Sequence, residues 1–283
     1  MLAIKAEGLV REFSGVKAVD HVNLHVPEGS VFGFLGPNGA GKTTTIRMLT
    51  GMLKPDAGDI EIFGEKAVYG KPYKSNWIGF LPDVPDFYGW MRADEFLLLC
   101  GKLVGMKEES IRNQTREILV KVGLGDVNKK IKGYSRGMKQ RLGIAQALLH
   151  KPRIVFLDEP TSALDPMGRK EILDLILELK KEMTVFLSTH ILADVERVCD
   201  RVAVLNKGKI LMEEEIVHLM DVFSNGLVKL EVMQGYVEKA IASVQNLPFV
   251  EEVKKSDNSS IELRMQINEE NNIKLLSALG NDG

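Results

Sequence analysis

The chain has 283 residues, 45% of them hydrophobic, and a formal net charge of −2. That length holds one large domain, or a large and a small one, and buries a full core without staples. The near-neutral balance gives no steer towards nucleic acid or an anionic surface. Cys100 and Cys199, the two cysteines, lie far apart without a C-x-x-C spacing, which argues against a disulfide framework or a structural zinc and suits a reducing compartment. Met1-Leu2-Ala3-Ile4-Lys5 has no basic-then-apolar signal. No apolar run approaches the ~20 residues that span a bilayer; the longest candidate, Phe96 to Cys100, is soon interrupted by Lys102. The expectation is a chain soluble on its own, held at a membrane only by another chain.

Residues 2–35 read as short strands broken by turns, with alternation in Val22-Asn23-Leu24-His25-Val26 and a turn at Pro27-Glu28-Gly29. The apolar run Val31 to Leu35 leads into Gly36-Pro37-Asn38-Gly39-Ala40-Gly41-Lys42-Thr43, and a helix follows to about Leu53, stopped by Lys54-Pro55-Asp56. Strands are expected near 59–63 and 76–81. From about 91 to 149 the pattern is helical, with apolar faces at Leu97, Leu98, Leu103 and Val104 and at Ile111, Ile118, Leu119 and Val122. Then come a strand at Ile154-Val155-Phe156-Leu157, a helix at about 167–182 and a strand at Thr184 to Ser188. Strands alternating with helices predict an α/β domain with a largely parallel sheet. The helical block, about 84–149, is an insertion. Ser224-Asn225-Gly226 reads as a linker, placing the main domain at 1–223 and a small α+β domain at 224–283. The order there is β-α-β-β, with a helix from about Tyr236 to Leu247. No low-complexity tract or internal repeat is evident.

Two motifs carry chemistry. Gly36 to Thr43 reads G-x-x-x-x-G-K-T between a strand and a helix, the setting of a phosphate-cradling loop. Its glycines let successive N–H groups of residues 36–44 (Gly36, Pro37, Asn38, Gly39, Ala40, Gly41, Lys42, Thr43, Thr44; Pro37 lacks the donor) wrap phosphate oxygens, with the helix N-terminus adding partial positive charge. Lys42 reaches the β- and γ-phosphates, and the Thr43 hydroxyl is a ligand for Mg²⁺. The strand Ile154–Leu157 ends in Asp158-Glu159-Pro160, two carboxylates at the end where ligands sit in open α/β sheets. Asp158 is expected to hold Mg²⁺ with Thr43, and Glu159 to polarise the water that attacks the γ-phosphate.

Tyr134-Ser135-Arg136-Gly137-Met138-Lys139-Gln140-Arg141 precedes an apolar helical stretch. Ser135 is a natural N-cap, and its hydroxyl, the Gly137 N–H and the helix N-terminus form a second anion site. This segment resembles the signature motif of the ABC (ATP-binding cassette) ATPases, with L-S-G-G-Q appearing as Y-S-R-G-M. Arg136 and Met138 resemble the variant of the subfamily that serves ABC-2-type exporters, including antibiotic-resistance and sodium-efflux ATPases. The resemblance covers roughly residues 2–223. It implies a P-loop ABC ATPase core with an antiparallel β subdomain and the helical insertion. It implies that Ser162-Ala163-Leu164-Asp165 is the loop reaching the partner's site, with Asp165 near nucleotide. It implies that His190 contacts the γ-phosphate and that Phe13 stacks on adenine. Asp83 stands where the family has Gln. It remains a potential Mg²⁺ ligand, but donates no hydrogen bond unless protonated. The implied mechanism is a head-to-tail homodimer with ATP sandwiched between the Lys42 loop of one copy and the Ser135 segment of the other. Opening and closing then drives an integral membrane permease from the cytoplasmic face of the membrane. Phe87-Tyr88-Gly89-Trp90-Met91 is either part of the groove for that permease or core of the insertion. The competing reading is a soluble ABC ATPase acting on nucleic acid or ribosomes; some ninety residues between Lys42 and Ser135 leave no room for a long coiled coil, and no nucleic-acid partner is expected. The extension after 225 resembles that of some exporters in the subfamily, implying help in dimerisation or regulation.

Overall fold

The computed structural model describes residues 1–67, 69, 77–162, 164–218, 226–232, 235–257, 259–265 and 269–280. The chain separates into two compact units, Met1–Ile216 and Val217–Gly283. The expected boundary at 223/224 lies outside the described residues, as do Ser224, Asn225 and Ala163.

The first unit opens with a long hairpin, β1 (Leu2–Phe13) and β2 (Val16–Pro27). Its two-residue turn has positive φ at both Ser14 (50°) and Gly15 (81°). That pattern matches the twist of the flanking strands. β3 (Val31–Leu35) follows, then α1 (Lys42–Leu49), β4 (Ala57–Ile62), β5 (Glu65–Lys66) and β6 (Ile78–Leu81). The inserted block holds α2 (Ala93–Leu103), α3 (Glu108–Lys121), a 3₁₀ turn (Ile131–Gly133) and α4 (Arg136–Leu148). β7 (Ile154–Asp158), α5 (Pro166–Leu179), β8 (Thr184–Thr189), α6 (Leu192–Val198), β9 (Arg201–Asn206) and β10 (Lys209–Glu215) complete the unit.

The strands form an antiparallel sheet, β2-β1-β4-β5, and a six-stranded sheet, β10-β9-β3-β8-β7-β6. Within the second, β6, β7, β8, β3 and β9 run parallel and β10 antiparallel. β7 and β8 are buried throughout, and their centres, Ile154–Leu157 and Val185–Leu187, are continuous apolar runs, as in strands covered on both faces. Phe32, Phe34 and Phe156 each pack on Phe186 with ring centroids 5.3–5.6 Å apart. The mixed α/β class, the antiparallel sheet and the inserted helices agree with the sequence reading.

Boundaries differ where capping decides them. α1 ends at Leu49 rather than Leu53, because the Thr50 hydroxyl donates back to the Ile46 carbonyl (2.8 Å) and Gly51 turns left-handed (φ 76°). α5 stops at Leu179, three residues before the expected 182. In the second unit the order is β11 (Leu227–Glu231), α7 (Val237–Val244), β12 (Val250–Lys255), β13 (Ser260–Met265) and α8 (Glu269–Gly280). α8 is an element that the β-α-β-β reading lacked, and α7 is shorter than the expected Tyr236–Leu247.

α4 lies on β6 at Gly79. A Cβ there would meet the Ala147 carbonyl oxygen at 2.2 Å, a backbone atom that cannot step aside. Gly79→Ala therefore pushes α4 off the sheet and is expected to cost about 1–3 kcal/mol, read by denaturant unfolding. The same seam holds His150, whose Nε2 lies 2.9 Å from the Ile78 carbonyl. Burial pulls its imidazole below the ordinary value, so it stays neutral when folded. As pH falls below about 6.5, the unfolded chain takes up a proton that the folded chain refuses, and stability drops. His150→Gln keeps a donor for Ile78 and is expected to flatten this part of the stability profile between pH 7 and 5, measured as the difference from wild type.

Candidate functional site

The phosphate loop is built by where β3 ends. Gly41 caps α1 in the left-handed region (φ 108°), and a Cβ there would lie 2.3 Å from the Ala18 carbonyl oxygen. No side chain caps the α1 N-terminus. Its first N–H groups are therefore available to an anion, as are those of the exposed turn Asn38–Gly39. Lys42 is 6% exposed; its Nζ donates to the carbonyls of Gly36 (2.6 Å) and Pro37 (3.2 Å). Nζ also lies 3.1 Å from Glu159 Oε1, an ion pair misaligned for a hydrogen bond, which leaves Oε1 without a hydrogen-bond partner.

β7 delivers Asp158 and Glu159 beside this loop. The Thr43 hydroxyl donates to Asp158 Oδ2 (2.8 Å), and the Ser188 hydroxyl donates to Asp158 Oδ1. Burial pushes the Asp158 carboxyl above its ordinary value; the hydrogen bonds from Ser188 and Thr43 oppose this, while Glu159 and Asp83 add to it. Glu159 sits in left-handed backbone (φ 49°), and its N–H donates to the Ser188 carbonyl (3.1 Å). Its Oε2 lies 2.9 Å from His190 Nδ1. With Glu159 ionised, that contact places the imidazole proton on Nδ1. Asn38, Gly39, residues 41–44, Asp83 and Glu159 share one cavity of about 200 Å³. Asp83 Oδ1 accepts from the Ser162 hydroxyl (3.0 Å).

The donor set suits Mg²⁺. Thr43 and Asp158 offer a hydroxyl and a carboxylate already in contact, and Asp83 adds a carboxylate at the same cavity. Among the described residues no cluster of three or more His, Cys, Asp or Glu forms a metal cage. A hard ion held by one or two carboxylates and substrate phosphates needs none.

The remaining candidates lie elsewhere in the chain. The Ser135 hydroxyl accepts from the Met138 N–H (3.2 Å) and caps α4; Asp165 accepts from the Gly168 N–H (3.2 Å) and caps α5. These two and Gly137 line a separate groove of about 530 Å³. Phe13 stands at the β1–β2 tip, 45% exposed, with the Arg11 guanidinium 4.7 Å over its ring. It is not a core residue. Sequence reasoning missed Ser188, which touches both Asp158 and the Glu159 backbone. It also missed Asp194, fully buried, accepting from the Thr161 hydroxyl and the Arg169 guanidinium (both 2.6 Å). An acidic residue four positions after His190 was the available signal.

Residues 19–162 match the family model described as ABC transporter. The chain is 46% identical over 243 residues to the uncharacterized ABC transporter ATP-binding protein YxlF of Bacillus subtilis, covering 84% of this chain and 80% of that one. It is 48% identical over 219 residues to the bacitracin transport ATP-binding protein BcrA of Bacillus licheniformis, with coverages of 76% and 71%. It is 35% identical over 232 residues to the daunorubicin/doxorubicin resistance ATP-binding protein DrrA of Streptomyces peucetius, with coverages of 81% and 70%. Among solved structures, a dimeric ATP-binding cassette in a post-hydrolysis state with ADP and Pi matches with a TM-score of 0.67 at 26% identity, covering 75% of this chain and 98% of that one. With its phosphate loop and paired carboxylates in place, the chain belongs to the ABC transporter ATP-binding family and is an ATPase subunit of such a transporter.

Proposed function

We propose that this chain powers an ABC-2-type exporter from the cytoplasmic face of the membrane, as a homodimer with ATP sandwiched between copies. The observation that carries this reading is the division of the site. Lys42, Thr43 and Glu159 line one cavity, with Asp158 bonded to Thr43 and His190 to Glu159, while Ser135, Gly137 and Asp165 line another. Each is half of a nucleotide site, and a head-to-tail second copy supplies the missing half. No helix among the described residues is long and apolar enough to cross a membrane; in this reading a separate permease carries out translocation.

Within the catalytic half, Lys42 and the α1 N-terminus neutralise and orient the phosphates. Thr43 and Asp158, with Asp83, would hold Mg²⁺, which supplies further neutralisation of charge on the β- and γ-phosphates. Glu159 accepts the proton of the attacking water, and His190 holds its carboxylate in place through Nδ1. Asp83 cannot donate to that water while ionised, so it acts as an acceptor or ligand.

The permease contact is proposed at the aromatic turn before α2. Tyr88 and Trp90 are exposed with rings 6.0 Å apart, whereas Phe87 packs edge-on against Phe96 of α2. The turn therefore has an anchoring aromatic and a presenting pair. It leads into a cavity of about 580 Å³ between α2 and α3, wide enough to seat part of a partner helix. This exposed pair favours a membrane partner over the soluble alternative.

Glu159→Gln is expected to bind ATP and dimerise while steady-state hydrolysis falls by about 10²–10⁴. Near-normal turnover would remove Glu159 from the role of base. Trp90, 64% exposed, can be tested separately. Trp90→Ala should change unfolding stability by no more than about 0.5 kcal/mol. It should also reduce recovery of a polytopic membrane protein when the chain is captured from detergent-solubilised host membranes. Capture of soluble partners or nucleic acid alone by the wild type would favour the alternative.

A further inference from the structure

The second unit contains a three-stranded sheet, β11-β13-β12, with β11 and β12 at its edges. Val228 and Leu230 of β11 pack with Ile261 and Leu263 of β13 in the core under the helices. The opposite face is charged: Lys229 stands across from Glu262, and Arg264 across from Glu252. The two edges differ. β12 carries a register shift between Val250 and Glu252, charges at four of its six positions, and a Lys254–Glu252 ion pair (2.9 Å). Bulges and edge charges are devices that stop an edge from pairing further. β11 has neither a register shift nor a charge-dominated sequence: it is regular, and reads Leu-Val-Lys-Leu-Glu.

Which backbone groups of β11 face outward follows from its pairing. The Val232 N–H donates to the Ser259 carbonyl (2.8 Å), and the Met265 N–H donates to the Gly226 carbonyl (2.7 Å). With Leu230 opposite Ile261 and Val228 opposite Leu263, the even-numbered residues direct their N–H and C=O groups at β13. Leu227, Lys229 and Glu231 therefore direct theirs away from the sheet, to an edge with no strand beside it among the described residues.

We infer that this edge pairs with the same edge of a second copy of the chain, antiparallel about a two-fold axis. Only registers that oppose odd residues to odd residues satisfy the outward groups. Among them, opposing Lys229 to Lys229 or Glu231 to Glu231 sets like charges together, which is destabilising. The register centred on Leu230 sets Lys229 of each copy against Glu231 of the other. It also brings Leu230 against its own copy and Val228 against Val232, continuing the apolar face. Strand sequence, backbone polarity and charge thus agree on one self-complementary contact. It needs no nucleotide, which separates it from the ATP sandwich proposed above.

The test uses the full chain without nucleotide, followed by sedimentation over a concentration series. Wild type should self-associate reversibly. Lys229→Glu and Glu231→Lys should each weaken association about tenfold, because symmetry converts two opposite-charge pairs into two like-charge pairs. The combined swap should restore it, a rescue that a merely structural role for these exposed side chains does not produce. Leu230→Cys should cross-link to its own copy on oxidation beyond the wild-type background. The Cα separation of a facing non-hydrogen-bonded pair, ~4.5 Å, lies within disulfide range. Lys229→Cys, facing Glu231, should not cross-link. A monomeric wild type at every concentration, or dissociation by Lys255→Glu on β12 but not by Lys229→Glu, would overturn the inference. ATP-dependent dimerisation surviving in Lys229→Glu would leave the sandwich reading intact.

Discussion

A single buried ammonium holds the glycine-rich loop after β3 to the acidic end of β7. Lys42 Nζ meets the carbonyls of Gly36 and Pro37 and the Glu159 carboxylate together. A buried charge stripped of partners costs several kcal/mol, so the two segments that supply these oxygens are fixed relative to one another. They can be supplied only because β3, β8 and β7 lie side by side in parallel, with Leu35 opposite Thr189 and Asp158 opposite Ser188. That register brings the Ser188 hydroxyl within reach of Asp158 and of the Glu159 N–H. Removing the parallel order would leave the motifs intact as text and dissolve them as a site.

The parts of this arrangement that the chain's text discloses are those with local causes. Gly36 to Thr43 needs only its own glycines, and Asp158-Glu159 only the apolar strand before it. Ser188 and Asp194 are different. Their partners lie 30 and 33 residues away along the chain, so no window of sequence contains both ends of the contact. Helix ends were misread for a related reason: the stop of α1 is a back-bonded threonine followed by a left-handed glycine, whereas the pattern pointed to the proline at 55. α8 lies outside the β-α-β-β reading although Leu275 and Leu279, four apart, share one helix face. Its apolar side is short and its first turn is polar, and the sheet it covers supplies the rest of the helical stability.

The division of the nucleotide site also bears on Asp83. In one chain this carboxylate is engaged by the Ser162 hydroxyl, in the loop that leads to Asp165. Asp83 begins the segment that runs into the aromatic turn and α2. One hydrogen bond therefore joins the loop that leads to Asp165 to the segment that leads to the aromatic turn, the two features proposed above to meet the partner's nucleotide and the permease. A carboxylate at that junction offers acceptors only while it is ionised. Such a junction is suited to reporting occupancy, since a change in either neighbour alters the same contact.

Glu159 holds left-handed backbone without being glycine. That conformation costs an ordinary residue of order 1 kcal/mol, a strain stored next to the chemistry. The consequence is evolutionary. Replacement by glycine relieves that strain but leaves the buried Lys42 ammonium without its carboxylate, a loss of several kcal/mol that outweighs it, so drift away from a carboxylate here is uphill in folding free energy. The ion pair thus holds in place a residue whose backbone alone would favour glycine.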